Sequence, residues 1–221
     1  MKITGKILRA VAIILLILTA AFNLLGGAGT TCAAFFTEKY PTLAALASVK
    51  WLYQILVVTT IATGIAGIWA TVGLIRGKEK YYRNTLIVLI TGTLLGGIQY
   101  FTSLALRGAA APANVKFYLN TFTLIVFLIC GFPGIRKWID FEKQGGAGNS
   151  AAAGVATFIA GLLTLSTPMW AGPTHTYMGQ NWVYVLGAPL NIAGSLMVLG
   201  GLAWLLKALL RESHSLQVEN I

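Results

Sequence analysis

Five uncharged amide side chains fall inside the long apolar runs of this 221-residue chain: Asn23, Gln54, Gln99, Asn120 and Asn191. An amide carries donors and an acceptor, and inside a membrane there is no bulk water to bond them, so each must find a partner within protein. All five sit at the middle of their run or toward the end oriented outward by the charge count below. If they converge, with Tyr100 beside them and Pro168 and Pro189 near by, they line an outward-facing polar pocket. Its ligand would be a neutral solute that forms hydrogen bonds, or the headgroup of a bound lipid or quinone. The competing reading gives each amide one interhelical hydrogen bond of about 1 kcal/mol, which only fixes the bundle.

A second set, Cys32, Met169, His175 and Met178, offers thiol, thioether and imidazole, donors that suit copper or zinc. Meeting at the outer face, they would make a metal or redox site. Their spacing argues for less: C-x-x-C, H-x-x-x-H and M-x-x-M patterns are all missing, and Glu38 is the one nearby carboxylate. His175 then reads as a solvated loop residue. The nucleophile elbow, H-E-x-x-H, Walker A and Rossmann glycine patterns are also missing, and Cys130 has no base at its depth. A non-catalytic protein without a resident cofactor is the expectation. No Asp, Glu, Lys, Arg or His lies at the centre of an apolar run, which disfavours proton coupling and a haem held by two intramembrane imidazoles.

The elements that must position these groups are set by composition. The chain is 57% hydrophobic and 10% charged, with a mean hydropathy of +0.76. That is more apolar surface than one water-soluble core can bury, so much of it must face lipid. Lipid leaves backbone groups unsatisfied unless the crossing is a helix or a closed barrel, and these runs do not alternate as barrel strands do. About 20 apolar residues make one helical crossing. Such runs span residues 10–27, 51–75, 85–106, 117–134, 151–170 and 182–206, predicting an all-α, polytopic membrane protein of six transmembrane helices in three hairpins.

Charge orients them. Lys2, Lys6, Arg9, Arg76, Lys78, Lys80, Arg83, Arg136, Lys137, Lys143, Lys207 and Arg211 lie on one side, and Lys39, Lys50, Arg107 and Lys116 on the other, twelve against four. Lys and Arg resist translocation, so the richer side is cytoplasmic, with both termini inside and the protein in the cytoplasmic membrane. The net charge of +10 is then chiefly a topology signal with some attraction to anionic lipid. Spread over short loops, it forms no stripe for nucleic acid. Lys2, Lys6 and Arg9 before the first run also resemble the start of a signal peptide, with Gly26-Gly27-Ala28 as a cleavage site; the run is long for that, and retention of the helix is expected.

Three helices open alike, with Lys50-Trp51-Leu52-Tyr53, Lys116-Phe117-Tyr118-Leu119 and Asn181-Trp182-Val183-Tyr184. A single membrane domain built from hairpin repeats 1–80, 81–145 and 146–221 would explain the spacing, and so would the ordinary gathering of aromatic residues at membrane interfaces. Small residues that admit close helix approach line up at Ala62, Ala66 and Ala70, at Gly92 and Gly96, and at Ala152, Ala156 and Ala160. Residues 28–50 read as a long outer loop holding Cys32, with 43–48 as a short interfacial helix, and 144–150 as a glycine-rich hinge. The expected role is a structural or accessory subunit, partnered by membrane lipids and by other membrane subunits or further copies of itself. The alternatives are a facilitator or binding protein built on the amides, and an outer-face metal or redox protein.

Overall fold

The computed structural model describes residues 3–110, 113–139, 141–142, 147–170, 176–177 and 179–219. It divides into two compact units, Met1–Gln144 and Gly145–Ile221, with the boundary in the glycine-rich stretch. Five helices are long and apolar enough to cross a membrane: Thr4–Phe35, Pro41–Ile75, Tyr81–Arg107, Ala113–Gly131 and Gly187–Leu210. Large apolar side chains such as Ile65, Ile68, Leu94 and Phe122 stand exposed along them, as lipid-facing surfaces require.

In the first unit α1 (Ile3–Phe35), α2 (Lys50–Ile75), α3 (Tyr81–Arg107) and α4 (Ala113–Gly131) form an antiparallel four-helix ring. Each helix packs on the next, and α4 returns to α1. Glycines set the close approaches: Gly27 meets Ile61, Gly64 meets Leu24, and Gly67 meets Ala20 between α1 and α2, while Gly96 meets Phe117 between α3 and α4. The buried line on α2 is therefore Thr60, Thr63, Gly64, Gly67 and Ala70. Of the predicted alanine line only Ala70 belongs to it, since Ala62 is exposed and Ala66 half-buried.

One end of the ring carries the basic turn between α2 and α3, where Lys80 adopts φ 69°, and the short helix α5 (Pro133–Ile139). Here Leu16, Leu74, Leu89, Phe127, Cys130, Ile139 and Phe141 form an apolar core. The other end is capped by two 3₁₀ turns, Thr37–Lys39 and Pro41–Val49. Leu46 of the second packs with Ala33, Ala34, Tyr53 and Val57 in a separate apolar cluster. Arg107 donates from Nε to the Thr42 carbonyl (2.9 Å), and Lys50 pairs with Glu38 (2.9 Å), so the cap is tied to α3 and to the start of α2.

Helix α1 runs eight residues beyond its predicted end, so Cys32 belongs to its last turns and not to a loop. Gly26, Gly27 and Gly29 do not stop it, because Gly26 and Gly27 serve as contact points for α2 and α4. The predicted 117–134 helix starts four residues earlier and ends at Gly131, ahead of Pro133, which lacks the N–H a continuing helix needs.

In the second unit α6 (Ala147–Leu165) packs along α9 (Gly187–Glu219). The pairs Gly154 with Gly201 and Gly161 with Gly194 bring the backbones together: a Cβ on Gly161 would stand 2.8 Å from the Gly194 carbonyl oxygen. The predicted 151–170 helix is one piece only to Leu165. A break at Ser166, two residues before Pro168, separates it from the four-residue α7 (Thr167–Trp170), and its apolar stretch, Asn149–Leu165, is shorter than the five helices named above. Likewise the predicted 182–206 helix is broken near Leu186 into α8 (Trp182–Val185) and α9, ahead of Pro189. A two-residue pair, β1 (Thr176–Tyr177) on β2 (Gln180–Asn181), lies before α8.

Candidate functional site

On α4 the residues Lys116, Asn120, Thr123, Phe127 and Cys130 recur at intervals of three and four, which puts them on one face. All are buried. The face looks into the ring, and α1 runs antiparallel to it, so each turn of α4 meets a matching turn of α1. The result is a stack of layers between the two apolar clusters.

Nearest the basic end, Thr19 and Thr123 share a hydrogen bond of 2.7 Å. One turn on, Asn23 and Asn120 form a reciprocal amide pair: Asn23 Nδ2 donates to Asn120 Oδ1 (3.1 Å), and Asn120 Nδ2 donates to Asn23 Oδ1 (2.9 Å). Asn120 Nδ2 also donates to the Lys116 carbonyl at 2.8 Å. The pair fits because α3 offers Gly92 there; a Cβ on Gly92 would collide with Asn120 Oδ1 and lie 3.4 Å from Asn23 Nδ2.

The next layer, toward the cap, holds a charge. Lys116 is 3% exposed. Its ammonium donates to Thr60 Oγ1 on α2 (3.3 Å) and, by a short bond, to Gln99 Oε1 on α3. Gln99 Nε2 in turn donates to Thr30 Oγ1 on α1 (2.8 Å), and Thr30 donates to the Gly26 carbonyl (2.6 Å). All four helices thus meet in one chain of hydrogen bonds. Gly26 makes room for the lysine stem, since a Cβ there would stand 3.0 Å from Lys116 Cδ.

Three of the five sequence-picked amides, Asn23, Gln99 and Asn120, lie in these layers. Gln54 is half-buried and bonds elsewhere in the unit, to the Ala34 carbonyl at 3.3 Å. Asn191 is exposed on α9 in the second unit. Tyr100 sits in an aromatic group at the ring's surface, stacked on Phe117 at 5.2 Å with its hydroxyl accepting from Tyr118 at 3.0 Å. Of the sulfur and imidazole set, Cys32 is half-buried in the first unit and Met169 is 83% exposed in the second. His175 and Met178 lie outside the described residues. Among the described residues no three His, Cys, Asp or Glu side chains gather as metal ligands.

Sequence reasoning missed Lys116, which it counted as a loop charge, and the threonines 19, 30, 60 and 123. A signal for them existed: Lys116, Asn120 and Thr123 are spaced as one polar helix face, and so are Thr19, Asn23 and Thr30. At the basic end Arg9 is also buried, donating to the Leu74 carbonyl (3.3 Å) with its guanidinium 6.0 Å from the Phe141 ring centre.

No protein-family model, curated protein or solved structure matches the chain. The chemistry available is therefore that of the layers themselves. They can hold four helices in one register, and they can present a buried cation together with hydroxyl and amide groups.

Proposed function

We propose that this chain is a non-catalytic, multi-pass membrane protein that serves as a structural or accessory subunit of a larger membrane complex. The observation supporting this reading is that Asn23 and Asn120 satisfy each other and that Gln99 is taken up by Thr30 and Lys116. Amides committed in this way stabilise helix register and are not free to recognise a solute. Purification from the native membrane in a gentle detergent is expected to retain a stoichiometric partner chain. Elution alone, as one monodisperse species at natural abundance, overturns the reading.

The proposal includes six crossings of the cytoplasmic membrane with both termini inside. Helix α6 has 19 residues, about 28 Å at the usual rise, close to the thickness of a hydrocarbon core. Leaving out the buried Arg9 and Lys116 changes the basic-residue balance from twelve against four to eleven against three, so the bias persists. Reporter fusions after Lys78, Lys143 and Arg211 are expected to report the cytoplasm; an external signal from the last of these reduces the crossings to five.

A further inference from the structure

The layer around Lys116 has a surplus of donors and a charge that, among the described residues of this unit, no acidic side chain neutralises. The acids of the chain are Glu38, Glu79, Asp140, Glu142, Glu212 and Glu219. Only Glu38 belongs to the capped end of the ring, and it stands at the exposed surface engaged by Lys50. Of the other described acids in this unit, Glu79 follows α2 and Glu142 follows α5, so neither is built into the ring at the depth of Lys116. A buried ammonium held only by neutral groups is costly, because hydroxyl and amide dipoles offset part of its lost hydration and none of its charge.

Thr60 supplies the second observation. Thr59, Thr63, Thr71 and Thr85 each turn the hydroxyl back to the carbonyl four residues earlier, the ordinary habit of a helical threonine without water. Thr60 does not. Its oxygen accepts from Lys116, and among the described residues its own O–H meets no acceptor. The third N–H of the ammonium is likewise unanswered, since Thr60 and Gln99 take two. Gln99 cannot turn its oxygen away without breaking its bond to Thr30. The two donor atoms stand 3.3 Å apart, and among the described residues neither of these hydrogens has an acceptor.

We propose that Lys116 and the hydroxyl of Thr60, with Gln99 fixing the ammonium, bind one small monovalent inorganic anion of halide size. A halide is the natural occupant: it accepts from both donors without demanding a geometry of its own, and it cancels the charge. Sulfate and phosphate are disfavoured because each would bring four oxygens and more than one negative charge to two free donors and a single ammonium, beside a mainly apolar cluster of Ala33, Ala34, Leu46, Tyr53 and Val57.

The test uses the full chain in detergent, exchanged into sodium gluconate and titrated with chloride or bromide at constant ionic strength while tryptophan fluorescence follows thermal unfolding. The expected result is a saturable rise in Tm for either halide, none for sulfate, and no halide-specific rise in Lys116→Met. A wild-type response no different from gluconate, which would make the missing acceptor water, overturns the proposal, as does an equal rise in Lys116→Met. Should Lys116→Met fail to fold, equilibrium binding of radiolabelled chloride decides: about one ion per wild-type chain, held about tenfold more weakly by Thr60→Val, is expected. No bound chloride, or unchanged affinity in Thr60→Val, refutes it.

Discussion

The two halves of the four-helix ring use the same helix faces in opposite ways. From Thr123 to Lys116 the facing side chains are polar and bonded in pairs and chains; from Phe127 to Phe141 they are apolar and packed by shape. Lipid is as apolar as leucine, so neither half gains much from a hydrophobic effect between helices. What remains is dispersion in one half and directed bonds in the other. Dispersion rewards any close fit, whereas the Asn23 and Asn120 pair forms only when α1 and α4 are in one register. The apolar half therefore contributes tightness, and the polar half chooses the alignment.

Removing shape from the apolar half should give the largest effect. The Phe127 ring is fully buried, with centroids of Phe141 at 5.7 Å and Tyr82 at 6.2 Å. Phe127→Ala is expected to cost about 3–5 kcal/mol through the cavity it leaves, read as a fall in unfolding midpoint in mixed micelles. A cost near zero would mean that this half can collapse and is not held by shape.

Next comes overfilling the polar half. Gly92→Ala places a methyl group on the Asn120 carboxamide, and about 1–3 kcal/mol of destabilisation is expected. The control is Gly29→Ala, where a Cβ meets nothing within 4 Å, and helix propensity alone predicts a gain of up to about 1 kcal/mol. Equal effects at the two sites would remove the steric account of the amide layer.

Smaller still is the pair itself. In a double-mutant cycle with Asn23→Ala and Asn120→Ala, each single change should destabilise more than the coupling, because it leaves the other amide unsatisfied. The coupling is expected at about 0.6–1 kcal/mol. Strict additivity would show that the reciprocal bonds do not hold the register.

The smallest effect belongs to the cap. Hydrogen bonding to Lys50 holds the Glu38 carboxyl below its ordinary value of 4.5. A carboxyl lowered in the folded state adds stability above its unfolded value and loses it as pH falls through the folded one. Acidification below about 4.5 should thus loosen the cap only slightly, since the pair is exposed and screened by salt. Hydrogen exchange over Thr37–Val49 would show this in wild type and not in Glu38→Gln.

Much of the architecture was legible without coordinates. The demand that a lipid-crossing segment bond its own backbone and present apolar side chains acts on each segment separately, so runs of apolar residues located every long helix. The glycines of α3 at 92 and 96 could be picked as contact points for the same reason. Ends were less legible: α1 passes through three glycines because its neighbours use two of them for contact, and the breaks at Ser166 and Leu186 follow from prolines that an apolar average overlooks.

Two lysines mark the boundary between what a segment decides and what the fold decides. Lys50 and Lys116 open nearly the same sequence, Lys-Trp-Leu-Tyr and Lys-Phe-Tyr-Leu. Sequence alone determined that this is a helical membrane protein whose charges keep to the helix ends, because lipid exerts that requirement locally. Lys50 is the first residue of α2 and turns to Glu38, while Lys116 comes three residues after the start of α4 and turns into the ring. Which way a lysine turns depends on where its helix begins and which face its three neighbours cover. Those are properties of four helices together, so only the tertiary structure could put the buried charge in the polar layer.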